Sequence, residues 1–188
     1  MKVFIDAITP IWTIIIFDWN KIVHQKMIEV LWNEFSSFLD VFLSFMNEYN
    51  QKIEELEGLS IINWPWWFTW TRIISLIANT IWFVNNVRLE WIDYFTLLDE
   101  SSFSYPMIIK ANRSEYLLKE NKDSKPFLIS KEKLSPGIYS GIWDDKDFED
   151  KNISIKRISD YNAFISNHSF GFTFDRIEPY YIKKPNIT

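Results

Sequence analysis

The chain has 188 residues and a formal net charge of −5, a balance that argues against nonspecific nucleic-acid binding by the chain as a whole. It contains no cysteine, which excludes disulfides, iron–sulfur clusters and cysteine-based zinc sites. Aromatic residues make up 18% of it, including ten Trp, more ring surface than one small core readily buries. Large contacts with another molecule are therefore expected.

Isoleucine, asparagine and lysine are abundant while alanine and glycine are scarce, as in chains from AT-rich genomes such as those of some phages and mitochondria. A secretory signal is not expected, because Lys2 is a lone basic residue and Asp6 and Pro10 interrupt the apolar run behind it.

In chain order, residues 1–18 read as one or two short extended pieces. Ile11 to Phe17 is β-branched and aromatic, a composition that favours a buried strand pairing with a neighbouring subunit or a distant sheet, with a helix turn or a membrane-dipping segment as the alternatives. Asp18 or Asn20 then caps a first long helix. Its apolar seam steps by three and four through Ile28, Leu31, Phe35, Phe38, Phe42, Phe45, Tyr49, Ile53 and Leu56. Gly58 is a natural terminator. Leu59 to Trp64 reads as a short link, which implies antiparallel packing of the helices on either side.

The second helix opens at Pro65 with Asn63 as its cap, and its pattern runs to about Leu98, roughly 50 Å at 1.5 Å per residue. Trp64, Trp66, Trp67 and Trp70 cluster at its start. They read as core and subunit-contact residues at one end of a hairpin, or as an interfacial belt at a lipid surface. Arg72, Asn79, Asn85 and Asn86 interrupt the segment and disfavour a membrane span.

After Glu100 the pattern changes to short β-like runs: Met107 to Lys110, Tyr116 to Lys119, Phe127 to Ser130, Ile138 to Trp143, Ile153 to Ile158, Ala163 to Ser166, Phe170 to Phe174 and Tyr180 to Ile182. Strands at this spacing suggest a small antiparallel sheet, sandwich or barrel. No internal repeat is visible. The expected fold class is α+β: an N-terminal strand and a long antiparallel helical hairpin over residues 1–100, then a small antiparallel β-rich domain over 101–188.

Candidate chemistry is sparse. His24 and His168 have no metal-ligand spacing between them and read as a helix-surface and a turn residue. The carboxylates at 144, 145, 147, 149 and 150 lack the glycine and spacing of a calcium loop and read as a solvated turn. The four Asn-x-Ser/Thr triplets, beginning at Asn112, Asn152, Asn167 and Asn186, are expected by chance in a chain rich in asparagine and serine. Four glycines build no phosphate-cradling loop. No catalytic, cofactor or metal residue is expected.

The expectation is a non-enzymatic structural subunit of a large multimer, most concretely a phage virion component of the neck, connector or tail. The alternative is a membrane-associated accessory subunit of a respiratory or similar complex, encoded by an organelle in one version and lodged in the mitochondrial inner membrane. Either would bind other protein subunits, as a homo-oligomer or within a hetero-assembly, without sequence-specific nucleic acid and with room for membrane contact. The expected interface residues are Trp64, Trp66, Trp67, Trp70, Phe38, Phe42, Phe45, Trp82 and Trp91.

Overall fold

Three strands open the chain: β1 (Lys2–Asp6), β2 (Ile11–Asp18) and β3 (Lys21–Glu29). They form an antiparallel meander in a computed structural model that describes residues 1–7, 9, 11–29, 37–64, 68–112, 114–141, 148 and 151–179. Helix α1 (Phe38–Glu48) then carries the chain to β4 (Gly58–Trp64), which pairs in parallel with β1. Helix α2 (Phe68–Asn85) leads in the same way to β5 (Arg88–Asp93), parallel to β4, and α3 (Tyr94–Glu100) follows directly. The sheet order is β3-β2-β1-β4-β5. Parallel neighbours need a crossover, and α1 and α2 supply the two.

Strand alternation fixes which side each helix covers. Val3, Ile5, Ile14, Ile16, Leu59 and Ile61 share one face by register. Trp12 and Asn63 continue that face. Phe38 of α1 meets Trp12 edge-on at 5.1 Å between ring centroids. The Ser75 hydroxyl of α2 donates to Asn63 Oδ1 at 3.0 Å. Helices α1 and α2 therefore lie on the same face. Phe4 points the other way, against Tyr161 and Phe164 at 5.8 and 5.0 Å.

The second half repeats this plan. Strands β6 (Met107–Lys110), β7 (Glu115–Lys119) and β8 (Phe127–Ser130) form an antiparallel meander, and β9 (Gly137–Gly141) pairs in parallel with β6 and with β10 (Ile153–Arg157). The order β8-β7-β6-β9-β10 has the same connectivity and strand directions as the first sheet. Met107, Ile109 and Leu117 join the core of the first sheet, while Ile108, Tyr116, Leu118, Phe148 and Ile153 form a second, smaller core. Helix α4 (Asn162–Asn167) returns to the first sheet against α3 and β3.

Several expectations are corrected. No long N-terminal helical hairpin exists: the fold is α/β, with two mixed five-stranded sheets and short helices among the described residues. Of the three-and-four seam from Ile28 to Leu56, Ile28 lies in an edge strand, Phe38, Phe42 and Phe45 lie in an 11-residue helix and Ile53 opens a short 3-10 turn, while Leu31 and Phe35 lie outside the described residues. The segment Gly58–Trp64, read as a link, is a strand between β1 and β5. The second helix ends at Asn85, and Asn86 turns the chain with a left-handed φ of 56° into β5. Asn63 is not a helix cap: it is buried, and its Nδ2 donates to the Glu178 carbonyl at 2.9 Å. The second sheet is mixed rather than antiparallel, and Ala163 to Ser166 is helical.

Candidate functional site

The residues expected at an interface scatter. Phe38, Phe42 and Phe45 are fully buried inside the chain, Phe45 against Tyr49 and Phe38 against Trp12. Trp82 is half-buried beside Phe83, and Trp91 on β5 is 48% exposed. Trp66 and Trp67 lie outside the described residues, as do residues 144, 145, 147, 149, 150 and 186. Trp64 and Trp70 are described by their backbone alone, at the ends of β4 and in the first turn of α2.

The exposed apolar side chains are different ones. On α1, Leu39 and Leu43 are 42% and 37% exposed, four residues apart on one side of the helix. On α2, Leu76, Phe83 and Val84 are 67%, 81% and 69% exposed. Their spacing of seven and eight residues places them on one side as well. Thr80 lies between them, and its hydroxyl donates to the Leu76 carbonyl at 2.8 Å, so it makes no polar demand outside the helix. The sequence pattern missed this stripe because α2 is apolar nearly all round, and only packing on the sheet reveals which face remains outside.

The titratable groups are used internally. Asp6 ends β1 and is completely buried. Its Oδ2 accepts from Tyr94, the first residue of α3, and from Tyr161, just before α4, the latter at 2.8 Å. Burial, and then the neighbouring Asp6 charge, push both phenols well above the usual 10.0, so they stay protonated and donate. The cluster ties β1 to α3 and to the entry of α4.

His168 follows α4 and sits between two carboxylates. Its Nδ1 contacts Glu100 Oε2 at 2.5 Å and its Nε2 contacts Glu90 Oε1 at 3.1 Å. Burial opposes the ring's charge, but the hydrogen bonds and charges of Glu90 and Glu100 outweigh it and raise the pKa above 6.5. In its protonated form the ring donates from both nitrogens, one to each carboxylate. His24 stacks on Tyr49 at 3.8 Å between ring centroids. Sequence spacing could not have found the His168 pairing, since its partners lie 78 and 68 residues away. No group of three His, Asp or Glu side chains able to hold a metal occurs among the described residues.

Glu90 also accepts from the Gly171 backbone N–H at 2.6 Å, and Leu89 exchanges two backbone hydrogen bonds with Thr173. The segment after α4 thus runs antiparallel along the open edge of β5. No unpaired edge of β5 is left at that position to recruit another strand.

No protein family matches the sequence, and no curated protein matches it. Solved structures do match in shape. YeaZ from Pseudomonas aeruginosa superposes with a TM-score of 0.64 at 9% identity, over 88% of this chain and 89% of that one. An uncharacterized protein with similarity to peptidase YeaZ, from the same organism, gives 0.60 at 10% identity over 74% of each chain. These neighbours, and the absence of the hairpin, overturn the reading as a virion neck, connector or tail component and the placement in a virion. The reading as a subunit of a mitochondrial inner-membrane complex falls too: no helix among the described residues is long and apolar enough to cross a membrane. What the likeness establishes is the architecture, and the chain has a YeaZ-like fold.

Proposed function

We propose that the chain is a non-enzymatic protein-binding subunit, and that the layer formed by α1 and α2 is its docking surface. The observation that carries this reading is the apolar stripe of Leu76, Phe83 and Val84 on α2, with Leu39 and Leu43 exposed on α1, the other helix of the same sheet face. Large exposed apolar side chains grouped on a helix layer are the composition of an interface core. The stripe contains no charge, so it is self-complementary, and the occupant proposed is a second copy of the chain packed helix layer to helix layer.

A peptidase activity, the word attached to one fold neighbour, finds no support in the described residues. The sequence has no cysteine, His168 is held by two carboxylates, and neither histidine is hydrogen-bonded to a serine or threonine hydroxyl among the described residues.

Light scattering on the full chain tests the reading. The expected mass is that of a dimer, and the double variant Leu76→Asp/Phe83→Asp should be a monomer that still unfolds cooperatively, at a melting temperature no longer dependent on protein concentration. A monomeric wild type at high concentration, or a dimer indifferent to the double substitution, would overturn it.

A further inference from the structure

A cleft of about 380 Å³ opens between the end of β5, the start of α3 and the loop joining β7 to β8. That volume is within the range of small-molecule sites. Its polar lining is Lys119, Lys122, Lys125, Ser124, Thr96 and Asp93, and Trp91 forms one wall.

The electrostatics are one-sided. Asp93 is consumed by the backbone: its Oδ1 accepts from the N–H groups of Phe95 and Thr96 at 2.9 and 3.1 Å, and its Oδ2 from the Thr96 hydroxyl at 2.7 Å. Lys119 is largely buried at the base, held at 2.8 Å from Asp99, with its ammonium 5.5 Å from the centre of the Tyr105 ring. Lys122 and Lys125 are exposed and have no carboxylate partner among the described residues. The nearby acidic residues Glu120 and Asp123 are not part of the lining.

The loop that carries the two lysines is set in shape. Asn121 Oδ1 accepts from the N–H groups of Asp123 and Ser124 at 3.1 and 2.9 Å, and the Ser124 hydroxyl donates to the Asn121 carbonyl at 2.9 Å. Pro126 fixes the exit of the loop against the cleft. Two exposed lysines on a braced loop and a half-exposed indole line the same cleft.

We propose that this cleft binds a nucleoside monophosphate, its planar base against Trp91 and its phosphate between Lys122 and Lys125. An indole face takes any base ring by stacking, and ammonium groups take the phosphate as point charges. The Ser124 and Thr96 hydroxyls donate their protons to Asn121 and Asp93, which leaves their oxygens as acceptors for sugar hydroxyls. None of the lining residues belongs to α1 or α2, so the site is separate from the proposed docking layer.

Calorimetric titration of the full chain with AMP, ribose 5-phosphate, adenosine and inorganic phosphate tests it. AMP should bind saturably and at least tenfold more tightly than the other three. Lys122→Ala/Lys125→Ala should weaken AMP at least tenfold and remove the salt dependence of its affinity. Trp91→Ala should weaken AMP about tenfold, Trp91→Phe should restore most of that loss, and ribose 5-phosphate should bind both variants as it binds the wild type. All three positions are exposed, so melting temperatures should stay within a few degrees. Absence of saturable AMP binding at millimolar concentration overturns the proposal. So does AMP affinity unchanged in the double lysine variant, or inorganic phosphate that binds as tightly as AMP.

Discussion

Asn79 in α2 and Ile177 near the end of the described chain bind each other twice. The Asn79 Nδ2 donates to the Ile177 carbonyl at 2.8 Å, and the Ile177 N–H donates to Asn79 Oδ1 at 2.8 Å. A side-chain amide here substitutes for a strand partner and anchors a segment that has left the sheet. Asn79→Ala leaves a buried backbone N–H and C=O without partners, and should cost about 1–3 kcal/mol. Asn79→Asp, which keeps the acceptor and loses the donor, should fall between. Urea unfolding checks both.

The same segment is held upstream by His168, which gives stability a pH dependence. Its folded pKa is raised above 6.5 by Glu90 and Glu100 against the opposing effect of burial. The contribution is therefore complete below about pH 6.5, where the unfolded ring is also protonated, and is lost as pH rises through the folded value. Unfolding midpoints measured upward from pH 6 should decline. His168→Gln should remove that decline and lower the midpoint most at the acidic end of the window. A variant with the same slope as the wild type would assign the dependence elsewhere.

Two glycines distinguish a yielding contact from an unyielding one. A Cβ at Gly58 would lie 2.8 Å from the Phe172 ring, which can swing aside at some cost. A Cβ at Gly141 would lie 2.3 Å from the Ile108 backbone carbonyl, across the β6–β9 pairing, where nothing can swing. Gly58→Ala should destabilise by about 1–2 kcal/mol and Gly141→Ala by about 3 kcal/mol or more. Thermal unfolding of the two variants would rank them.

Tyr161 gives Asp6 one of its two phenol hydrogen bonds. Tyr161→Phe keeps the ring contact with Phe4 and removes only the donor to a buried carboxylate. A loss of about 2 kcal/mol is expected, without a change in the denaturant slope. A neutral variant would mean that Asp6 is satisfied without it.

Neighbouring positions on α1 should behave oppositely. Phe38 is buried against Trp12, and Phe38→Ala should cost about 3–5 kcal/mol. Leu39 is 42% exposed, and Leu39→Asp should alter stability by no more than about 0.5 kcal/mol. If α1 and α2 form the docking layer, Leu39→Asp should nevertheless weaken self-association, read by sedimentation.

The local chemistry of the sequence settled some elements by itself. Ile11 to Phe17 is a strand, buried from Trp12 onward, as its β-branched composition favours, and it pairs within the chain with β1 and β3. Strands β6 and β8 fall on the runs Met107 to Lys110 and Phe127 to Ser130, because turn residues bound them closely on both sides. The lack of cysteine settled that no thiolate chemistry is available.

Tertiary structure alone decided the rest. Gly58–Trp64 is too short and too apolar for periodicity to separate a buried parallel strand from a loop or a helix end, and its partner β1 lies more than fifty residues away. The seam from Ile28 to Leu56 fits a helix by spacing, yet hydrogen bonding to β2 claims Ile28 for a strand. The repeat of one sheet plan in two halves leaves no trace in sequence, since strand order is fixed by long-range pairing rather than by residue identity. The Glu90–His168–Glu100 clamp, the lysine-lined cleft and the apolar stripe on α2 exist only once distant segments are brought together and the sheet has covered one side of each helix.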